Sequence, residues 1–312
     1  MTLMNILRIS EQGLTHPFGD ERTVKQAFPA GIDTKASDPF LMCDYFNSEE
    51  SNGKADVDEF PVDWHPHRGF DICSYLQSGT GRHGDSLGNR ETYETPGMQW
   101  MSTGSGVEHA EGGANEKGTI VQGFQIWINV PADKKMNDPA YGTVPTSQLP
   151  LVDVNEGVNA RVLAGKAWGV VGPMKAQSEI QMIDFEFWEG STTGCFDIMD
   201  NFDTAILYVY EGSLSKVNES ERSINEGEII LFDATSEEQR SLELLAANGS
   251  AKALLFAGKK LKEPIAWHGP IVMNTQTQIQ ATIRELRSGV FPPVRVEWDY
   301  KRISAFPNAD KL

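Results

Sequence analysis

The chain has 312 residues, 39% of them hydrophobic and 9% aromatic, with a formal net charge of -17. That length suffices for two domains with separate cores. So acidic a surface repels phosphate backbones and anionic bilayers, so neither direct nucleic-acid binding nor membrane attachment is expected. No stretch approaches the ~18 apolar residues of a membrane span. The opening MTLMNILRISEQ lacks the basic-then-apolar succession of a secretory signal. The cysteines, Cys43, Cys73 and Cys195, are odd in number, widely spaced and without a CxxC. They read as thiols of a reducing compartment, so the expected location is cytoplasmic. Nothing in the chain demands a dimer, and the expectation is a monomer.

In chain order, short runs of β-branched and aromatic residues alternate with Gly, Pro, Asn and Asp clusters. The runs are Phe70 to Leu76, Ile120 to Val130, Arg161 to Leu163, Ile180 to Phe187, Ala205 to Tyr210, Glu228 to Phe232 and Ala253 to Phe256. This spacing predicts an all-β sandwich or barrel architecture. The Pro-rich segment 136–145 is the expected linker. It divides the chain into an N-terminal domain over 1–135 and a C-terminal domain over 146–312. Near the end, Asn274 to Gly289 predicts a helix: Thr275 with Gln278 fits a capping box, Ile279, Ile283 and Leu286 form an apolar stripe, and Gly289 is a stop.

Of six histidines, three fall in two short motifs, His65-Pro66-His67 and His109-Ala110-Glu111. On a strand, residues i and i+2 point to one face. Two such strands side by side would bring three imidazoles and a carboxylate to one point, a mixed N/O set suited to a divalent transition metal. Asp71 and Asp85 are the local carboxylates expected to hold the outer ring nitrogens. His83 and His268 are expected to be structural, and Cys73 a core residue.

A weak internal repeat supports two copies of one fold. Ser74 to Gly79, then Pro96-Gly97 and Met98 to Met101, are echoed by Tyr208 to Gly212, then Glu226-Gly227 and Glu228 to Phe232. The offsets that place the N-terminal motifs fall in the second copy on Ile198, Asp200, Gln239 and Ser241. No histidine lies between His109 and His268, so only the first copy is expected to hold metal.

These motifs resemble those of the pirin family. The resemblance is carried by His65 to Phe70, His83-Gly-Asp-Ser-Leu-Gly88, Pro96-Gly97, Gln99-Trp100-Met101, Gly104-x-Gly106, His109-Ala-Glu111 and His268-Gly-Pro270, and it runs over nearly the whole chain. It implies a bicupin, two tandem jelly-roll β-barrels with a short C-terminal helix. It also implies a metal held by His65, His67, His109 and Glu111, usually Fe(II), with Mn, Co, Ni or Cu as alternatives. Asp71 departs from the family, which commonly has glutamate there. Family members are reported as quercetin 2,3-dioxygenases, which implies a small aromatic substrate, O2 and Glu111 as catalytic base. A eukaryotic member acts instead as a coregulator, which implies a regulatory protein partner.

Overall fold

The structure is a computed structural model that describes residues 2–17, 23–50, 60, 62–113, 115–236 and 238–296. Strands dominate, and the runs predicted from composition all form them, commonly a residue or two longer at the ends. The chain divides into two compact units, one of residues 1–14, 25–44 and 147–262, the other of 15–24, 45–146 and 263–312.

In the first unit an antiparallel sheet runs in the order Ile6–Glu11, Glu228–Phe232, Thr204–Leu214, Ala251–Gly258, Ile180–Phe187, Val158–Ala164, Leu151–Asn155. Its core is closed by Phe185, Phe187, Phe196, Leu207, Val209 and Leu255, all buried. Ile198, at one position where a repeated metal site would need a histidine, is buried in that core, while Asp200 is exposed. Gln239 instead bonds Asn5, and Ser241 faces Asp197. This unit spends its interior on apolar packing.

In the second unit a four-stranded sheet runs Val62–His67, Val107–Gly113, Thr80–Asp85, Arg90–Glu94. Another contains the order Ala140–Val144, Gly97–Ser102, Phe70–Ser78, Ile120–Asn129. Polar residues at alternate positions of apolar strands mark the inward face of the latter. Ser74 pairs in register with both Gln99 and Gln125, so the three form one row.

The division differs from a boundary at 136–145 in two respects. Ala140–Val144, inside the expected linker, pairs with Gly97–Ser102 as an edge strand. The N-terminal strand Ile6–Glu11 pairs with Glu228–Phe232, because its hydrophobic residues Ile6 and Ile9 pack against the core of that unit. The helix Gln276–Ser288 forms with the predicted capping box at Thr275 and Gln278, and Gly289 ends it in the left-handed region at φ 73°. The tail 297–312 lies outside the described residues. Among the described residues no helix is long and apolar enough to cross a membrane.

Candidate metal centre

The strand register assembles the site. His109 pairs directly with His65, and Val107 with His67. On the other side, His109 pairs with Asp85, and Glu111 with His83. Since alternate residues share a face, His65, His67, His109, Glu111, His83 and Asp85 all lie on one face of the four-stranded sheet.

His65, His67 and His109 come together: one ring nitrogen from each lies within 4.8 Å of the others. His67 and His109 are buried, and His65 half-buried. The Nδ1 atom of His65 lies 2.7 Å from the Asp63 carbonyl, and that of His67 3.2 Å from the Pro270 carbonyl. A carbonyl only accepts, so each Nδ1 carries the proton and each Nε2 keeps its lone pair. The Nε2 atoms of His65 and His109 are only 2.9 Å apart, and Nε2 of His67 is buried with no hydrogen-bond partner among the described residues. With the His65 lone pair fixed there, a positive centre belongs between the two nitrogens: the Nε2 proton of a neutral His109 or, in its place, a metal ion. Burial, with His65 as neighbour, holds His67 well below the ordinary imidazole range, and burial with three neighbouring histidines does the same to His109. An additional proton is therefore a poor occupant of the trio, and a divalent cation fits the donor set.

Glu111 is not in that trio. Its Oε2 accepts from Gln99 Nε2 at 2.8 Å and lies 3.0 Å from Ser74 Oγ, while Oε1 accepts from Gln125 Nε2 at 2.8 Å. The carboxylate is thus held by the polar row of the facing sheet. Glu111, Ser74 and Gln125 also line a cavity whose other walls include Phe46, Val62, Leu76, Tyr93 and Val121.

The aromatic surroundings of His67 are Phe70, 5.2 Å away, and Trp127, 5.4 Å away between ring centres. The hairpin bearing Pro270 is tied down by Lys135, whose buried Nζ donates to the carbonyls of Gly69 and Val272 and to Asn129 Oδ1. Burial pulls that ammonium group down to about 8.

Several sequence expectations are corrected. Asp85 holds His83 at 2.9 Å rather than a residue of the trio, and backbone carbonyls of Asp63 and Pro270 do the holding that carboxylates were expected to do. His268, expected to be structural, is exposed at the end of Ala266–His268. Cys73 is buried in the core as expected, and burial pushes its thiol well above the ordinary range. Sequence reasoning did not single out Ser74 and Gln125, and gave Gln99 no role. Their signal was a polar residue at the same phase of three apolar strands.

Two cupin domains, one with a cluster of inward-facing histidines, define a bicupin metalloprotein fold. A model of the Pirin family matches residues 21–128 and a model of the Pirin C-terminal cupin domain matches 183–292, and the chain belongs to the pirin family. Two relatives are each named "Putative quercetin 2,3-dioxygenase". That of Pseudomonas aeruginosa is 33% identical over 281 residues, covering 88% of this chain and 94% of the relative. That of Thermoplasma acidophilum is 34% identical over 259 residues, covering 77% and 95%. The crystal structure of quercetin 2,3-dioxygenase from Acinetobacter baumannii superposes with a TM-score of 0.83 at 27% identity, covering 93% of this chain and 99% of that one.

Proposed function

We propose that this pirin is a cytoplasmic metal-dependent dioxygenase of quercetinase type that opens a flavonol-like aromatic substrate with O2. The observation that carries the reading is the trio of Nε2 atoms whose outward nitrogens are pinned at His65 and His67. His65, His67 and His109 would hold the ion, with Glu111 as the fourth ligand, and Fe(II) is the proposed metal. The same donor set accommodates Mn, Co, Ni or Cu. When bound, the ion supplies Lewis acidity toward a hydroxyl and one-electron chemistry toward dioxygen.

The chain's own residues supply the rest. Glu111 receives the hydroxyl proton of the substrate as general base. Ser74, Gln99 and Gln125 aim its carboxylate and limit its motion. The apolar side chains of the adjoining cavity, Phe46, Val62, Leu76 and Val121, would take a flat aromatic body beside Glu111.

The test is oxygen uptake with quercetin by protein loaded anaerobically with Fe(II), and with each alternative metal, beside His67→Ala and Glu111→Gln. The reading expects uptake matched to flavonol loss, abolished by His67→Ala and strongly reduced by Glu111→Gln. Stoichiometric metal with no turnover of any flavonol would overturn it and favour a regulatory protein whose partner affinity depends on the metal.

A further inference from the structure

His65 and His67 each have a carbonyl on the outward nitrogen; His109 does not. Its Nδ1 is buried with no hydrogen-bond partner among the described residues. Outside the trio, the ring of His83 has its centre 5.5 Å from that of His109. His83 is fully buried, and its own Nδ1 is also without a partner among the described residues. Two buried, unpartnered ring nitrogens on adjacent strands of one sheet face are costly unless they serve each other.

Their chemistry is complementary. His83 Nε2 lies 2.9 Å from Asp85 Oδ2, so it donates its proton there and its Nδ1 is left as an acceptor. Asp85 is itself fixed, accepting from the backbone of Leu87 and Asn89 and from the Asn89 amide. The His83 ring is clamped flat against Tyr141, 4.1 Å between centres at 12°. With a metal ion on its Nε2, a neutral His109 carries its proton on Nδ1. A donor and an acceptor are thus both buried on rings whose centres lie 5.5 Å apart. Two imidazoles joined by one N–H···N bond have centres roughly 5 Å apart, so the observed spacing suits a direct bond after slight adjustment, or one bridging water.

We infer that His83 is the positioning residue for His109, completing an Asp85–His83–His109 relay that fixes the ring tautomer of the third metal ligand. The inference rests on the metal-binding reading of the trio, but not on the substrate or the reaction. Residues that orient a metal-bound histidine commonly change affinity by about ten- to a hundredfold when removed.

The test uses Zn(II) as a diamagnetic probe of the full chain. Ring ¹⁵N shifts of the zinc-loaded wild type should report His83 protonated on Nε2 with Nδ1 as acceptor, and His109 protonated on Nδ1. Competition with a chelator should show His83→Phe, which keeps a ring against Tyr141, binding zinc about ten- to a hundredfold more weakly. His83→Gln, which can still accept from His109 and donate to Asp85, should recover part of that loss. A His83 protonated on Nδ1, or a folded His83→Phe that binds zinc as tightly as wild type, overturns the inference while leaving the metal reading intact. A wild-type protein that binds no zinc, iron or nickel overturns both.

Discussion

Acidifying the metal-free protein should destabilise it through His67 and His109 in a calculable way. Both are buried and held well below the ordinary value of 6.5, chiefly by burial. In the unfolded chain both return to that value. As pH falls below about 6.5 the unfolded chain takes up protons that the folded protein refuses, so stability falls with pH. The loss begins at the unfolded value and continues until the lowered folded values are reached. Between about pH 7.5 and 5.5, each imidazole contributes about 1.4 kcal/mol of destabilisation, and the pair about 2.7 kcal/mol. With a urea slope of ~3 kcal/mol/M, the midpoint should move down by roughly 1 M. The quantity to measure is the difference between wild type and a His67→Gln, His109→Gln double variant, since the carboxylates contribute equally to both. Zinc should flatten the wild-type curve above about pH 6, because metal competes for the same nitrogens. A wild-type-minus-variant difference that stays constant across this range would refute the claim that these imidazoles are buried and neutral.

Three further outcomes follow from particular contacts. Arg68 is 3% exposed and donates to the Ser105 carbonyl, to Thr282 Oγ1 and to Glu285 Oε2. Arg68→Ala should cost about 3–5 kcal/mol in urea unfolding, and Arg68→Lys should recover only part, lacking the planar fork. Gln125→Leu removes the donor to Glu111 Oε1 and should cost about 1.5–3 kcal/mol; combined with Glu111→Gln in a double-mutant cycle, the pair should show coupling of about 1 kcal/mol or more. Gly289→Ala places a side chain at φ 73° and should lower stability by about 1 kcal/mol, with zinc affinity unchanged.

The sequence carried much of the site because strand chemistry is local. HPH and HAE needed only period-two geometry to put their side chains on one face, and the register of His109 with His65 closes the trio. The C-terminal helix was equally local, with both caps written in Thr275, Gln278 and Gly289. Long-range pairings were not legible. Pro270 lies 203 residues from His67, and nothing in its neighbourhood marks its carbonyl as the partner of that ring. The capture of Ile6–Glu11 by Glu228–Phe232 likewise depends on edge pairing that no local pattern encodes. Glu111 shows the limit most clearly. Its spacing from His109 puts it on the face of the trio, but the partners of its carboxylate, Ser74, Gln99 and Gln125, form a row that exists only once three strands are in register.

The most direct measurement is product labelling under ¹⁸O2, with quercetin and the Fe(II)-loaded protein. The account predicts one O2 consumed per flavonol, both labelled atoms in the cleaved products, and neither in the His109→Ala protein. Flavonol recovered intact, or cleaved without uptake of label, would contradict a dioxygenase at this centre.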